Sequence, residues 1–192
     1  MANNDSGRKA IGALFKDYGE NYKFLIENNQ ISIANDYKAQ YSKVMLLSTA
    51  SYFESKIIQI MFEMLNPSTC SITHGFMETK ALKRQYHTLF NWDQSNANQF
   101  FSLFGIEFKE FMKAKLAEDA ELNNSISDFM ILGSTRNKLV HGNYATFQLT
   151  LTAEDIYAKF ENAIKFVDSL LPLSDEFRRA QSDASEEEQE PA

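Results

Sequence analysis

Residues 125–144 read SISDFMILGSTRNKLVHGNY, and they decide what the rest of the chain must fold around. Ser125-Ile126-Ser127-Asp128 has the Ser-x-x-Asp form of a helix capping box. The spacing predicts a helix from there to about His141, with Ile126, Phe129, Met130, Gly133 and Val140 along its buried side. Gly142 stands where a C-cap glycine belongs. A helix with so long an apolar face needs other helices to cover it.

The best partner lies at about 36–65, DYKAQYSKVMLLSTASYFESKIIQIMFEML. Leu46, Ala50, Phe53, Ile57, Ile60 and Met64 recur at alternating steps of four and three, which is one helix face and the expected bundle core. Asn66-Pro67 ends it, because proline disfavours helix at the residue before it. A second capping box, Thr152-Ala153-Glu154-Asp155, opens a last helix that carries Ile156, Phe160, Ala163, Val167 and Leu170 and ends near Pro172. One or two short helices are expected within 11–33, from Phe15, Tyr18, Tyr22, Leu25 and Ile26. Another is expected over about 107–121, its Lys109, Lys113 and Lys115 facing solvent. Residues 66–75 read as a loop, and 76–90 as a helix with a basic face of Lys80, Lys83, Arg84 and His87. That face is either a solvated surface or an RNA contact. In YATFQLTL, residues 144–151, Phe147, Leu149 and Leu151 alternate, which predicts a short extended segment.

Sixteen Phe and eight Tyr against three Pro and seven Gly favour long helices over a turn-rich β fold. The expected fold is therefore all-α: a helical bundle with a short extended segment after the 125–141 helix. A chain of 192 residues suits one domain, here 10–175, between a flexible polar stretch at 1–9 and an acidic, disordered tail at 176–192. The formal charge is −7, but five of the 26 acids lie in residues 180–192; without them 21 acids face 19 Lys and Arg. A nearly neutral body leaves room for a local basic site. With one cysteine, Cys70, no intrachain disulfide can form. The absence of a secretory leader and of any apolar run long enough for a membrane span points to the cytoplasm.

Arg136 and His141 are separated by about 500° of helical turn, or roughly 140° after one revolution, so they do not share a face of an unbroken helix. Asn137 and His141 do. If the helix stops at His141, that side chain can swing from the last turn while the long Arg136 fork reaches round. These residue types suit cleavage of an RNA phosphodiester. Histidine gives or takes a proton near neutral pH. Arginine stays charged and offers planar donors to phosphoryl oxygens. The RNA 2′-OH is an internal nucleophile, so no metal is obligatory. One histidine cannot easily serve both sides of the reacting phosphorus, whereas two copies in a dimer can. From the spacing alone, a solvent-facing helix end with a dipole-favoured cation is the better reading.

The stretch STRNKLVHGNY resembles the Arg-x4-His motif of HEPN domains (higher eukaryotes and prokaryotes nucleotide-binding). LLSTASYFESKIIQIMFEML before it, FFSLFGIEF, and TAEDIYAKFENAIKFVDSLL after it are similar in kind and order to the RiboL-PSP-type branch, over about residues 38–172. The resemblance implies a HEPN-like bundle and a metal-independent, cofactor-free endoribonuclease of a toxin–antitoxin or phage-defence system. It implies a homodimer whose two motifs form a composite site, with an antitoxin or defence protein as a further partner. Arg136 would bind phosphate, His141 would be catalytic, and Asn137 would orient His141 or the phosphate. Inactive HEPN domains serve instead as dimerisation or binding modules for RNA or protein.

Glu54 lies beside the Phe53 stripe and is either a wet edge carboxylate or a support for Arg136 or His141. Lys138 and Tyr144 are candidate RNA contacts, by charge and by stacking. Cys70, His74 and His87 lack a fourth ligand and a zinc-site spacing, so no metal is expected. No glycine-rich phosphate loop occurs.

Overall fold

The computed structural model of the protein describes residues 6–65 and 85–187, with Gly75 and Thr79 between them. The described helices are α1 (Ser6–Glu27), α2 (Ile31–Leu65), α3 (Tyr86–Leu89), α4 (Asn98–Ser102), α5 (Ile106–Glu118), α6 (Ala120–His141) and α7 (Ala153–Glu187). No strand occurs among the described residues, so the fold is the all-α bundle expected. The loop over 66–74, Lys80, Lys83 and Arg84 of the basic face, Cys70 and His74 lie outside the described residues, as does the tail beyond 187.

Helix α7 packs most extensively against α6, then against α2, and α1 lies along α2. The predicted stripe of α2 is core: Leu46, Phe53, Ile57, Ile60 and Met64 are each at most 5% exposed, and Ala50 is 7%. Phe53 meets Phe129 of α6 and Phe160 of α7 edge-on or tilted, each at 5.3 Å between ring centres. Phe166 of α7 closes on Phe129 at the same distance. Burying rings of this size from three helices gives the bundle most of its driving force. A tight turn joins α1 to α2 at Asn29, whose φ of 56° suits asparagine better than most side chains.

Four expectations need correcting. Helix α6 starts at Ala120, not Ser125. Asp119 is its cap, accepting the Leu122 backbone N–H at 2.8 Å. Ser125 is fully buried and donates to the Leu122 carbonyl, while Asp128 reaches across to α7. Second, Val140 is half exposed and Leu139 takes the buried place. The buried ridge runs through Leu122, Ser125, Phe129, Leu132 and Leu139, and residue 140 is about 100° off it.

Third, α7 does not end at Pro172 but continues to Glu187, so residues 176–187 are helical rather than a loose tail. Contacts beyond the proline hold it there. Phe177 packs on Phe108 and Phe111 at 5.2 and 5.4 Å. Lys115 pairs with Glu176 at 2.6 Å, and Arg178 donates to the Met64 carbonyl. Fourth, α1 begins at Ser6, inside the stretch expected to be flexible, fastened by the Arg8–Glu161 pair at 2.7 Å and by buried Ile11. Residues 147–151 keep the alternation without forming a strand. Phe147, Leu149 and Leu151 turn inward against the core.

Candidate active site at the end of helix α6

His141 is the last residue of α6 and is exposed. The helix ends at Gly142, whose N–H still donates to the Lys138 carbonyl at 3.0 Å. With φ −89° and ψ −179°, Gly142 is in extended backbone that any residue adopts. Glycine is needed for closeness instead: a Cβ there would lie 2.9 Å from the Lys138 carbonyl oxygen. Lys138 and His141 both stand in the final turn, where the helix dipole favours cations.

Arg136 is half-buried. Its Nη1 donates to Asn137 Oδ1 at 3.1 Å, and its Nη2 stands 4.0 Å from Glu54 Oε2 on α2. The paired side chains are 32% and 39% exposed, so the pair contributes under about 1 kcal/mol to stability. Asn137 accepts a hydrogen bond from one corner of the guanidinium, and the Glu54 carboxylate faces another corner by charge, beyond hydrogen-bond reach. A guanidinium carries five N–H donors, more than these two neighbours can occupy. Glu54 sits next to Phe53 in sequence, which is 2% exposed, so packing fixes its place on α2.

Tyr86 of α3 stands behind this pair. Burial pushes its hydroxyl pKa well above the ordinary value; the neighbouring Glu54 charge adds to the rise and Arg136 works against it. Its ring lies 5.6 Å from Trp92, whose Nε1 donates to the His87 carbonyl at 2.9 Å. Trp92 rests on α6 where Gly133 leaves room. In the sequence, Tyr86 falls within the expected 76–90 helix and nothing there singles it out. The one useful signal was a glycine in mid-helix, which usually means close approach by a neighbour.

The other candidates are spread. Lys138 is exposed and about 200° round α6 from Arg136. Tyr144 lies past the helix end, 42% exposed, with Lys43 Nζ 4.9 Å from its ring centre. Lys43 was not foreseen. It is 4% exposed, and its ammonium donates to the Tyr144 carbonyl at 2.8 Å, fastening the segment after His141 to α2. Arg136, Asn137 and Glu54 thus form one cluster, while His141 stands at the helix end, five residues on and about 140° round α6 from Arg136, with Lys138 on the last turn and Tyr144 beyond it.

The chain matches the family model described as RiboL-PSP-HEPN over residues 14–171. No curated protein and no solved structure matches the chain.

Proposed function

The chain belongs to the RiboL-PSP-HEPN family, and from that premise we propose that it is a metal-independent endoribonuclease acting as a homodimer. The observation that supports this best is the half-buried Arg136, with Glu54 and Asn137 at its guanidinium, on the same last two turns of α6 as an exposed His141 at the helix end. In the reaction, a base removes the proton of the RNA 2′-OH. The 2′-oxygen attacks the adjacent phosphorus, the bond to the 5′-oxygen breaks, and that oxygen takes up a proton. The products are a 2′,3′-cyclic phosphate and a 5′-OH.

His141 serves as the proton-transfer group, and Arg136 stabilises the charge that builds on the phosphoryl oxygens. A second copy's His141 serves the opposite side of the phosphorus, so the composite site requires a dimer. Val140 and Tyr144, on either side of His141 and 49% and 42% exposed, suit such an association. A toxin–antitoxin or phage-defence role, with a partner that restrains the activity, fits a small nuclease of this kind. Lys138 and Tyr144 contact RNA away from the scissile bond.

The test is cleavage of single-stranded RNA in EDTA by the wild-type chain and by His141→Ala. Cleavage with cyclic phosphate ends, lost in the variant while the dimer persists, is the expected result. A folded wild-type dimer that cuts no RNA overturns the enzyme reading in favour of a dimerisation or binding module.

A further inference from the structure

A cavity of about 370 Å³ opens on the flank of α6 away from Arg136. Trp92, Asp93 and Gln94 line one wall, and Ser134, Thr135 and Lys138 line the other. The volume is within the range of small-ligand sites. Its lining combines apolar surface with an acceptor-only carboxylate, an amide, hydroxyls and one ammonium. One acid and one base nearly cancel, so the cavity does not select for an anion. It fits a flat, neutral heteroaromatic group with donors and acceptors around its edge.

Its position gives that group a source. Ser134, Lys138 and His141 lie at steps of four and three, hence on one ridge of α6, with about 10 Å of rise from 134 to 141. A strand whose phosphate lies at His141 passes Lys138 and reaches the cavity one or two nucleotides on. We propose that this cavity is a nucleobase subsite: it takes one unstacked base of single-stranded RNA near the scissile bond, with Lys138 on the intervening backbone and Asp93 and Gln94 on the base edge. The proposal rests on the ribonuclease reading for its ligand. It adds a base preference that Arg136 and His141 alone would not impose.

Trp92 is the chain's single tryptophan and lines this cavity, so all tryptophan emission arises at its wall. The experiment titrates His141→Ala protein with short oligo-A, -C, -G and -U RNAs, following Trp92 emission and, separately, the anisotropy of labelled RNA. The expected result is a saturable Trp92 change that tracks anisotropy and ranks the four RNAs unequally. Gln94→Ala with Lys138→Ala should weaken binding roughly tenfold or more, the scale of one base contact. Ser134→Tyr, which fills the cavity from the helix side, should abolish the emission change, and it is checked for folding by circular dichroism.

RNA binding without a change in Trp92 emission overturns the subsite. So does unaltered base preference in folded Ser134→Tyr that carries an intact His141. If RNA occupies the cavity but the wild type never cuts it, the subsite stands and the nuclease reading fails. If the wild type cuts with a preference indifferent to Ser134→Tyr, the reverse holds.

Discussion

Trp92 occupies the space that a side chain at position 133 would need: a Cβ on Gly133 would lie 1.9 Å from Trp92 Cζ3. The ring cannot withdraw freely, because Phe90 lies 5.0 Å from it and Phe129 5.9 Å. Gly133→Ala therefore forces Trp92 off α6 despite alanine's better helix propensity. Overpacking of this kind costs about 1–3 kcal/mol. Denaturant unfolding followed by Trp92 emission should show that loss, and a red-shifted native spectrum should show the displaced ring.

Glu54→Gln separates steering from stability. The Glu54–Arg136 pair is too exposed to hold the fold, so the unfolding free energy should move by less than about 1 kcal/mol. RNA cleavage should fall severalfold all the same, because the Arg136 fork loses one of its two guides. Equal losses of stability and activity would mean that Glu54 acts through packing alone.

Lys43→Met keeps the stem's volume and removes the ammonium that holds the Tyr144 carbonyl. Losing a charged hydrogen bond and losing a buried charge oppose each other, so global stability should change by no more than about 1 kcal/mol. Locally the effect should be plain: amides of residues 143–151 should exchange faster with solvent. Unchanged protection there would mean that the inward Phe147, Leu149 and Leu151 suffice to hold the segment.

Acid should loosen the start of α7. Asp155 accepts the backbone N–H and the hydroxyl of Thr152 at 3.0 and 2.9 Å, and these bonds hold its pKa below the ordinary value. For Glu154, burial opposes the charge, but bonds from its own backbone, Thr152 and Tyr18 outweigh it and lower its pKa as well. Both groups release protons more readily folded than unfolded. Their contribution is thus complete above the ordinary carboxylate range near pH 4 and drains away as pH falls through the lowered folded values. Thermal melting across that interval should show the decline, and Asp155→Asn should flatten it.

The sequence showed the fold most clearly where periodicity and burial agree. The 46–64 stripe of α2 and the Thr152–Asp155 cap were both legible, since each depends on neighbours within a turn or two. Asp119 was missed because a capping aspartate looks like any other acid until the helix after it is seen, and Ser125 offered a better-looking box. The course of α7 past Pro172 was hidden for another reason. It depends on Phe177 meeting Phe108 and Phe111, and no local rule brings those rings together. In the site, Arg136, Asn137 and His141 stood in one short stretch. Tyr86 and Trp92 come from the segment at 86–92 and Lys43 from α2, and only packing brings them to α6 and the stretch that follows it.

Pro172 also divides the labour of α7. Before it, Lys159 and Asn162 bind Asp128, and Phe166 packs on Phe129, all on α6. After it, Glu176, Phe177 and Gln181 bind α5 instead. Proline has no N–H to pass back along the helix, so the hydrogen-bond ladder lacks one rung where the two duties meet. Fraying that starts at the C-terminal end meets that gap first, and it can stop there with the brace on Arg136's helix still wound.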